Sequence, residues 1–232
     1  MTQLTIDTHV ADIVSALPQS TDLFRKLRID FCCGGKIALK EAAEARHLNP
    51  AEVLNHIKEI EIKQERRDSF DPTSFGNKTL VAYIQENYHE SLREELPALS
   101  PYITKVARVH GEKSPHLLCV QEIFRELRTE LLEHTEDEDK NVFPLILEFL
   151  RNPTDELKEE LRPRVFELEE EHENAGKLLF ELRDITNNFV PPNDACGTYR
   201  AVYARLEQLE KETFNHVHLE NNVLFDRVRQ AI

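Results

Sequence analysis

The chain has 232 residues with 43 acidic against 29 basic side chains, giving a formal net charge of −14 at neutral pH. That balance excludes general nucleic-acid binding and docking on anionic membranes, which both need a basic surface. Only 6 glycines, no tryptophan and 31% charged residues favour helix, and no apolar run is long enough for a transmembrane helix. The opening "MTQLTIDTHVADIVSALPQS" lacks the basic-then-apolar order of a signal peptide, so a cytoplasmic protein is expected. In such a compartment Cys32, Cys33, Cys119 and Cys196 stay thiols, and their spacing forms no disulfide scaffold.

In chain order, residues 1–62 read as a small helical domain built from "THVADIVSAL", "STDLFRKL" and "NPAEVLNHIKEIEI". In the last piece Asn49 suits an N-cap and Pro50 a first helical position. Between the second and third pieces lies "DFCCGGK". Residues 63–77, charged and carrying Pro72 and Gly76, read as a linker. Four long helical patterns follow over 78–109, 115–150, 154–188 and 197–230, within a second domain spanning 78–232. Short connections make neighbouring helices antiparallel, so the expected fold is all-α, ending in an up-down-up-down four-helix bundle.

Each long helix has an apolar stripe at steps of three and four, and each stripe contains one histidine where leucine would be expected. The first runs His89, Leu92, Leu96, Leu99, Ile103, Val106. The second ends Leu127, Leu131, His134, Glu138; the third passes Leu168, His172, Ala175; the fourth runs Leu209, Thr213, His216, Glu220 in "HVHLENN". Counted from the turns joining the helices, all four histidines sit roughly 18 to 21 residues away, which is one level of the bundle. Glu138 and Glu220 share the adjacent level. Any one inward histidine is more often a hydrogen-bonded core residue than a ligand, and a His/Glu pair at this spacing is often a helix-surface contact. Four imidazoles and two carboxylates converging in two layers are another matter, since buried carboxylates left unpaired cost several kcal/mol, as an order of magnitude.

Imidazole and carboxylate without cysteine suit iron or manganese better than structural zinc. Two shareable carboxylates imply a pair of ions, with the remaining positions held by an oxo or hydroxo bridge and an open place for a small molecule. Glu130, one turn before His134, and Glu169, three residues before His172, are candidate partners of the imidazole N–H groups, although surface carboxylates in so acidic a chain are more often bystanders. Adjacent Cys32 and Cys33 close a disulfide only in a strained eight-membered ring, so they are expected as free thiols on a turn where Gly34 and Gly35 permit positive φ. A buried pair beside a helix-ending turn is the alternative. Cys119 and Cys196 are expected to be packing residues. His9, His47 and His56 have no partners at ligand spacing, His116 starts a helix, and His218 points off the stripe that holds His216.

The bundle resembles the hemerythrin-like di-iron domains, and the whole chain resembles the bacterial di-iron proteins for repair of iron centres, the YtfE/ScdA type. The likeness is carried by "LFRKLRIDFCCGGK", "YHESLREELP", "KVARVHGE", "EEHENAG", "TNNFVPPNDAC" and "HVHLENNVLF", which span nearly the full length. It implies two non-haem iron ions on His89, His134, Glu138, His172, His216 and Glu220, with the glutamates as bridges. It also implies restoration of iron–sulfur clusters damaged by nitric oxide or peroxide. The expected partners are then damaged iron–sulfur proteins and nitric oxide or other small oxidants, with homodimerisation left open. Iron donation is expected ahead of enzymatic turnover; an oxygen- or nitric-oxide-binding module and a nitric-oxide-reducing enzyme are the alternatives. The resemblance favours Cys32 and Cys33 as a thiolate site that accepts iron, handles nitric oxide or exchanges redox equivalents. His110 also matches a family histidine, but ~31 Å of continuous helix separates it from His89. Only a break near Pro97 or Pro101 brings it to the same ions.

Overall fold

Sequence with few glycines and long three-and-four apolar spacing has one economical way to bury its stripes, which is helix against helix. The computed structural model describes residues 4–64 and 71–231. Among them every regular element is helical, and extended backbone pairs only in an isolated antiparallel bridge between His9 and Ala38. The α-helices are α1 (Val10–Ala16), α2 (Thr21–Lys26), α3 (Leu39–Glu44), α4 (Pro50–Gln64), α5 (Asn77–Ile84), α6 (Glu90–His110), α7 (His116–Asp137), α8 (Phe143–Arg151), α9 (Asp155–Ile185), α10 (Gly197–Leu219) and α11 (Phe225–Ala231). Part of the expected linker, residues 65–70, lies outside the described residues; within its remainder Pro72–Ser74 forms a 3-10 turn. No described helix is long and apolar enough to cross a membrane.

The chain divides into two compact units, Met1–Leu80 with Phe214–Ala231, and Val81–Thr213. In the first, Asn49 caps α4 as its sequence suggests, its side-chain oxygen accepting from Ala51 N at 3.0 Å. Phe24, Phe31 and Phe214 form an aromatic core, with the Phe31 ring edge-on to Phe214 at 6.1 Å and to His218 at 6.0 Å.

In the second unit α6, α7, α9 and α10 as far as Thr213 make four arms. α7 packs on both α6 and α9. The ring closes through α10, whose Arg205 grips Glu95 of α6 bidentately and whose Glu210 meets Arg183 of α9 in a buried ion pair. Thr154 caps α9 at its start. At its end "TNNF" turns the chain through three consecutive left-handed residues, Asn187, Asn188 and Phe189. Asparagine tolerates that conformation; Phe189 is held in it by burial and by the Arg183 guanidinium 5.1 Å from its ring.

The stripes read from sequence are buried in every arm. Three of the long helical stretches along the chain also contain a feature that the regular spacing hides. A single π-turn interrupts each, at Gln85–His89, Glu138–Val142 and Glu220–Leu224. Each π-turn starts or ends on a residue singled out above as a metal ligand. Such turns widen the helix by one residue and recur at functional sites.

Candidate metal centre

Within the second unit the structure brings His89, His134, Glu138 and His172 together, all buried. Glu138 Oε2 is 3.2 Å from His134 Nε2 and 3.5 Å from His89 Nε2, and its Oε1 is 3.8 Å from His172 Nε2. The Nε2 atoms of His134 and His172 are 2.8 Å apart. Among the described residues neither carboxylate oxygen of Glu138 finds a hydrogen-bond partner, although the side chain is wholly buried. Leaving a carboxylate so placed is costly.

The tautomers explain the arrangement. His89 Nδ1 lies 2.8 Å from Asp139 Oδ1, and His134 Nδ1 lies 2.6 Å from Glu171 Oε2. An ionised carboxylate only accepts, so each Nδ1–H donates and each Nε2 lone pair is left facing Glu138. Burial would raise the Asp139 carboxyl, but the hydrogen bonds from His89, Arg93 and Gln85 outweigh it and hold the group below its usual range. The hydrogen bond with His134 does the same for Glu171 against its partial burial. Convergent imidazole lone pairs around a carboxylate without hydrogen bonds fit a metal ion by the chemistry of the donor set.

Asp139 and Glu171 serve across helices. Asp139 follows Glu138 in the chain but orients His89, and Glu171 precedes His172 but orients His134. Sequence spacing pointed instead to Glu130 and Glu169. It tests separation along one helix, while these partners reach from one helix to another. Converting Asp139 to Asn, or Glu171 to Gln, is expected to weaken metal binding about 10- to 100-fold with the fold intact. Titration against a competing chelator measures it.

In the first unit His216 and Glu220 form a second buried pair, with Nε2 and Oε2 3.7 Å apart. His110 takes no part in the cluster around Glu138. α6 continues through Pro97 and Pro101, and its end places His110 Nε2 3.3 Å from Cys196 Sγ, with its ring against Tyr199. Cys196 and Cys119 are exposed and do not pack in the core.

The first unit also presents the thiol pair. Cys32 and Cys33 are free, with sulfurs 3.5 Å apart. Asp30 builds the turn, its carboxylate accepting from the backbone N–H of Cys32 and Cys33 at 3.0 Å and of Gly34 at 2.9 Å. Neither Gly34 nor Gly35 has positive φ, contrary to expectation. Space requires Gly35 instead, since a Cβ there would lie 2.5 Å from Phe31 O.

The "HVHLENN" segment clamps this turn from the other side. His218 Nδ1 donates to Phe31 O at 3.2 Å, and Asn222 Nδ2 donates to Cys32 O at 2.8 Å. Sequence analysis passed over His218 because it lies off the ligand stripe. Burial lowers its pKa to about 4, so it is a neutral donor at physiological pH. Cys32 is buried and its pKa is raised well above the ordinary thiol value by the hydrogen bond with Cys33, by burial, and by the charges of Cys33 and Asp30. Its thiol is therefore neutral, and Cys33 is the more accessible sulfur. One ligand atom each from Asp30, Cys32 and Cys33 lies within 4.8 Å of the others, a group that could hold a metal ion.

Two family models match the chain along its length. Residues 80–228 match the hemerythrin HHE cation binding domain, and residues 6–61 match the ScdA_N domain, described as a domain of unknown function (DUF542). An iron–sulfur cluster repair protein ScdA from Staphylococcus haemolyticus is 39% identical over 97% of this chain and 99% of its own. The chain belongs to the ScdA/YtfE family of iron–sulfur cluster repair proteins. An iron–sulfur cluster repair protein YtfE from Musicola paradisiaca is 33% identical over 95% of this chain and 96% of its own. A probable iron–sulfur cluster repair protein from Haemophilus influenzae is 30% identical over 94% and 95%.

Proposed function

We propose that this protein repairs iron–sulfur clusters damaged by oxidative or nitrosative stress, using a di-iron centre as the source of iron. The observation that carries the reading is Glu138, a fully buried carboxylate with no hydrogen bond, faced by three imidazole nitrogens. In this reading His89, His134, His172 and His216 would hold the ions through imidazole nitrogens, and Glu138 and Glu220 would hold them through their carboxylates. The helical register of the sequence and the family's ligand pattern support joining the two sets. Bound iron would supply Lewis-acid and one-electron chemistry.

The chain's own residues do the rest. Asp139 and Glu171 keep the imidazole lone pairs oriented, and the apolar stripes exclude bulk water. Cys33 offers an accessible sulfur that would ligate iron on giving up its proton, while Cys32 keeps its own. Damaged iron–sulfur proteins are then the partners, with nitric oxide or another small oxidant as the stress signal.

Iron-loaded protein mixed anaerobically with a cluster-depleted dehydratase tests the proposal. Enzyme activity should return as iron leaves the bundle, and a C32S/C33S variant should transfer it more slowly. Stoichiometric binding of oxygen or nitric oxide with no iron transfer would contradict repair and identify a binding module.

A further inference from the structure

The second unit contains a cavity of about 440 Å³ between α7 and α9. It reaches from Glu133 and Glu171, which are exposed, to the rings of His134 and His172, which are buried. Glu130 and Asp137 stand on the same wall as Glu133, and among the described residues the cation facing the space is Arg164. That guanidinium is engaged by Asp137 and by Glu167, so it adds little positive potential. Asp137 is neutralised in the same exchange. The charge left over is that of Glu130, Glu133 and Glu171. Burial and the neighbouring Glu126 and Glu171 charges raise the Glu130 carboxyl above its usual range, as expected of a carboxylate close to others of its own sign.

Acidic side chains alone would mean little in a chain of net charge −14. Here the recess ends at the two imidazoles whose Nε2 atoms face Glu138, the buried carboxylate whose oxygens lack hydrogen bonds. We propose that this cavity is the route by which ferrous ions enter the centre, with Glu130 and Glu133 drawing the ion from solvent towards His134 and His172. A narrow recess lined by one sign of charge focuses its field and raises the local concentration of the opposite ion. The ion exchanges hydration water for carboxylate oxygens at the mouth and then for imidazole nitrogens at the floor. It changes oxidation state at neither step. The inference rests on the metal reading of the bundle and adds how the metal arrives.

Anaerobic stopped-flow uptake of ferrous ion by metal-free protein provides the test, comparing wild type with E130Q/E133Q. The variant should load about tenfold more slowly, and its rate should depend less on salt. Its final iron content should equal that of wild type. E133K, a single change at an exposed position, should also slow loading, whereas E156Q/E159Q at the exposed start of α9 should not. Unchanged rates in both cavity variants with full final iron would overturn the route and leave the centre standing. Equal slowing by E156Q/E159Q would overturn it too, since overall charge would then be the cause. Wild type that takes up no iron would overturn the centre and the route together.

Discussion

Replacing Glu138 by glutamine should abolish the stabilisation that metal gives this protein while leaving the metal-free fold at least as stable as wild type. The two halves of that result have different causes. Metal that binds only the folded state at a thousandfold above its dissociation constant stabilises by about 4 kcal/mol. Without that carboxylate, iron content should fall below one per chain and most of that gain should disappear. In the metal-free protein, by contrast, the carboxylate is a burden, because its oxygens are buried without hydrogen bonds. A neutral amide of the same shape removes the charge. Denaturant unfolding with and without ferrous iron, under anaerobic conditions, separates the two. A variant destabilised equally in both states would mean that Glu138 is an ordinary core residue.

The second large effect is expected at Asp30. Its carboxylate accepts from three successive backbone N–H groups and from the Cys32 thiol, so Asp30→Ala leaves a tight turn without its acceptor. Hydrogen bonds to a charged group contribute roughly 1.5–3 kcal/mol each and are not additive here, so a loss of about 3 kcal/mol is expected. The chemistry of the sulfurs should change with it. In wild type, limiting alkylation should label Cys33 before Cys32, because Cys32 is buried and holds its proton. In D30A that order should weaken or vanish as the turn opens, which peptide mass spectrometry reads directly. D30N should fall between, since one amide oxygen remains but an N–H₂ replaces the acceptor facing Gly34.

The fold was legible because it rests on one repeated signal. Residues such as Leu92, Leu127, Leu168 and Leu209 recur at helical spacing and are buried. A histidine on that stripe stands out because the rest of the face is apolar apart from Thr213, Glu138 and Glu220. Buried His89, His134, Glu138 and His172 follow from that reasoning, as does the buried pair of His216 and Glu220.

What stayed hidden depends on contacts between helices or on local backbone. The π-turns at His89, Glu138 and Glu220 each displace the register by one residue, and a stripe of mixed three- and four-residue steps absorbs the change unseen. Asp139 and Glu171 each act on an imidazole of another helix, so no spacing along one helix identifies them. Asp30 offered a signal that could have been read, an aspartate just ahead of a Gly-Gly turn, where its side chain can cap successive N–H groups. Gly34 and Gly35 were read for the wrong property, conformational freedom, when the tight approach of Phe31 O to Gly35 is what demands a missing side chain.

The most direct test of the proposed centre is anomalous diffraction at the iron edge from crystals grown with ferrous iron under anaerobic conditions. The account predicts two iron peaks, each bonded to two of the four imidazoles, with the carboxylates of Glu138 and Glu220 shared between them. A single peak, or iron bound only at Asp30, Cys32 and Cys33 with the histidine cluster empty, would contradict it.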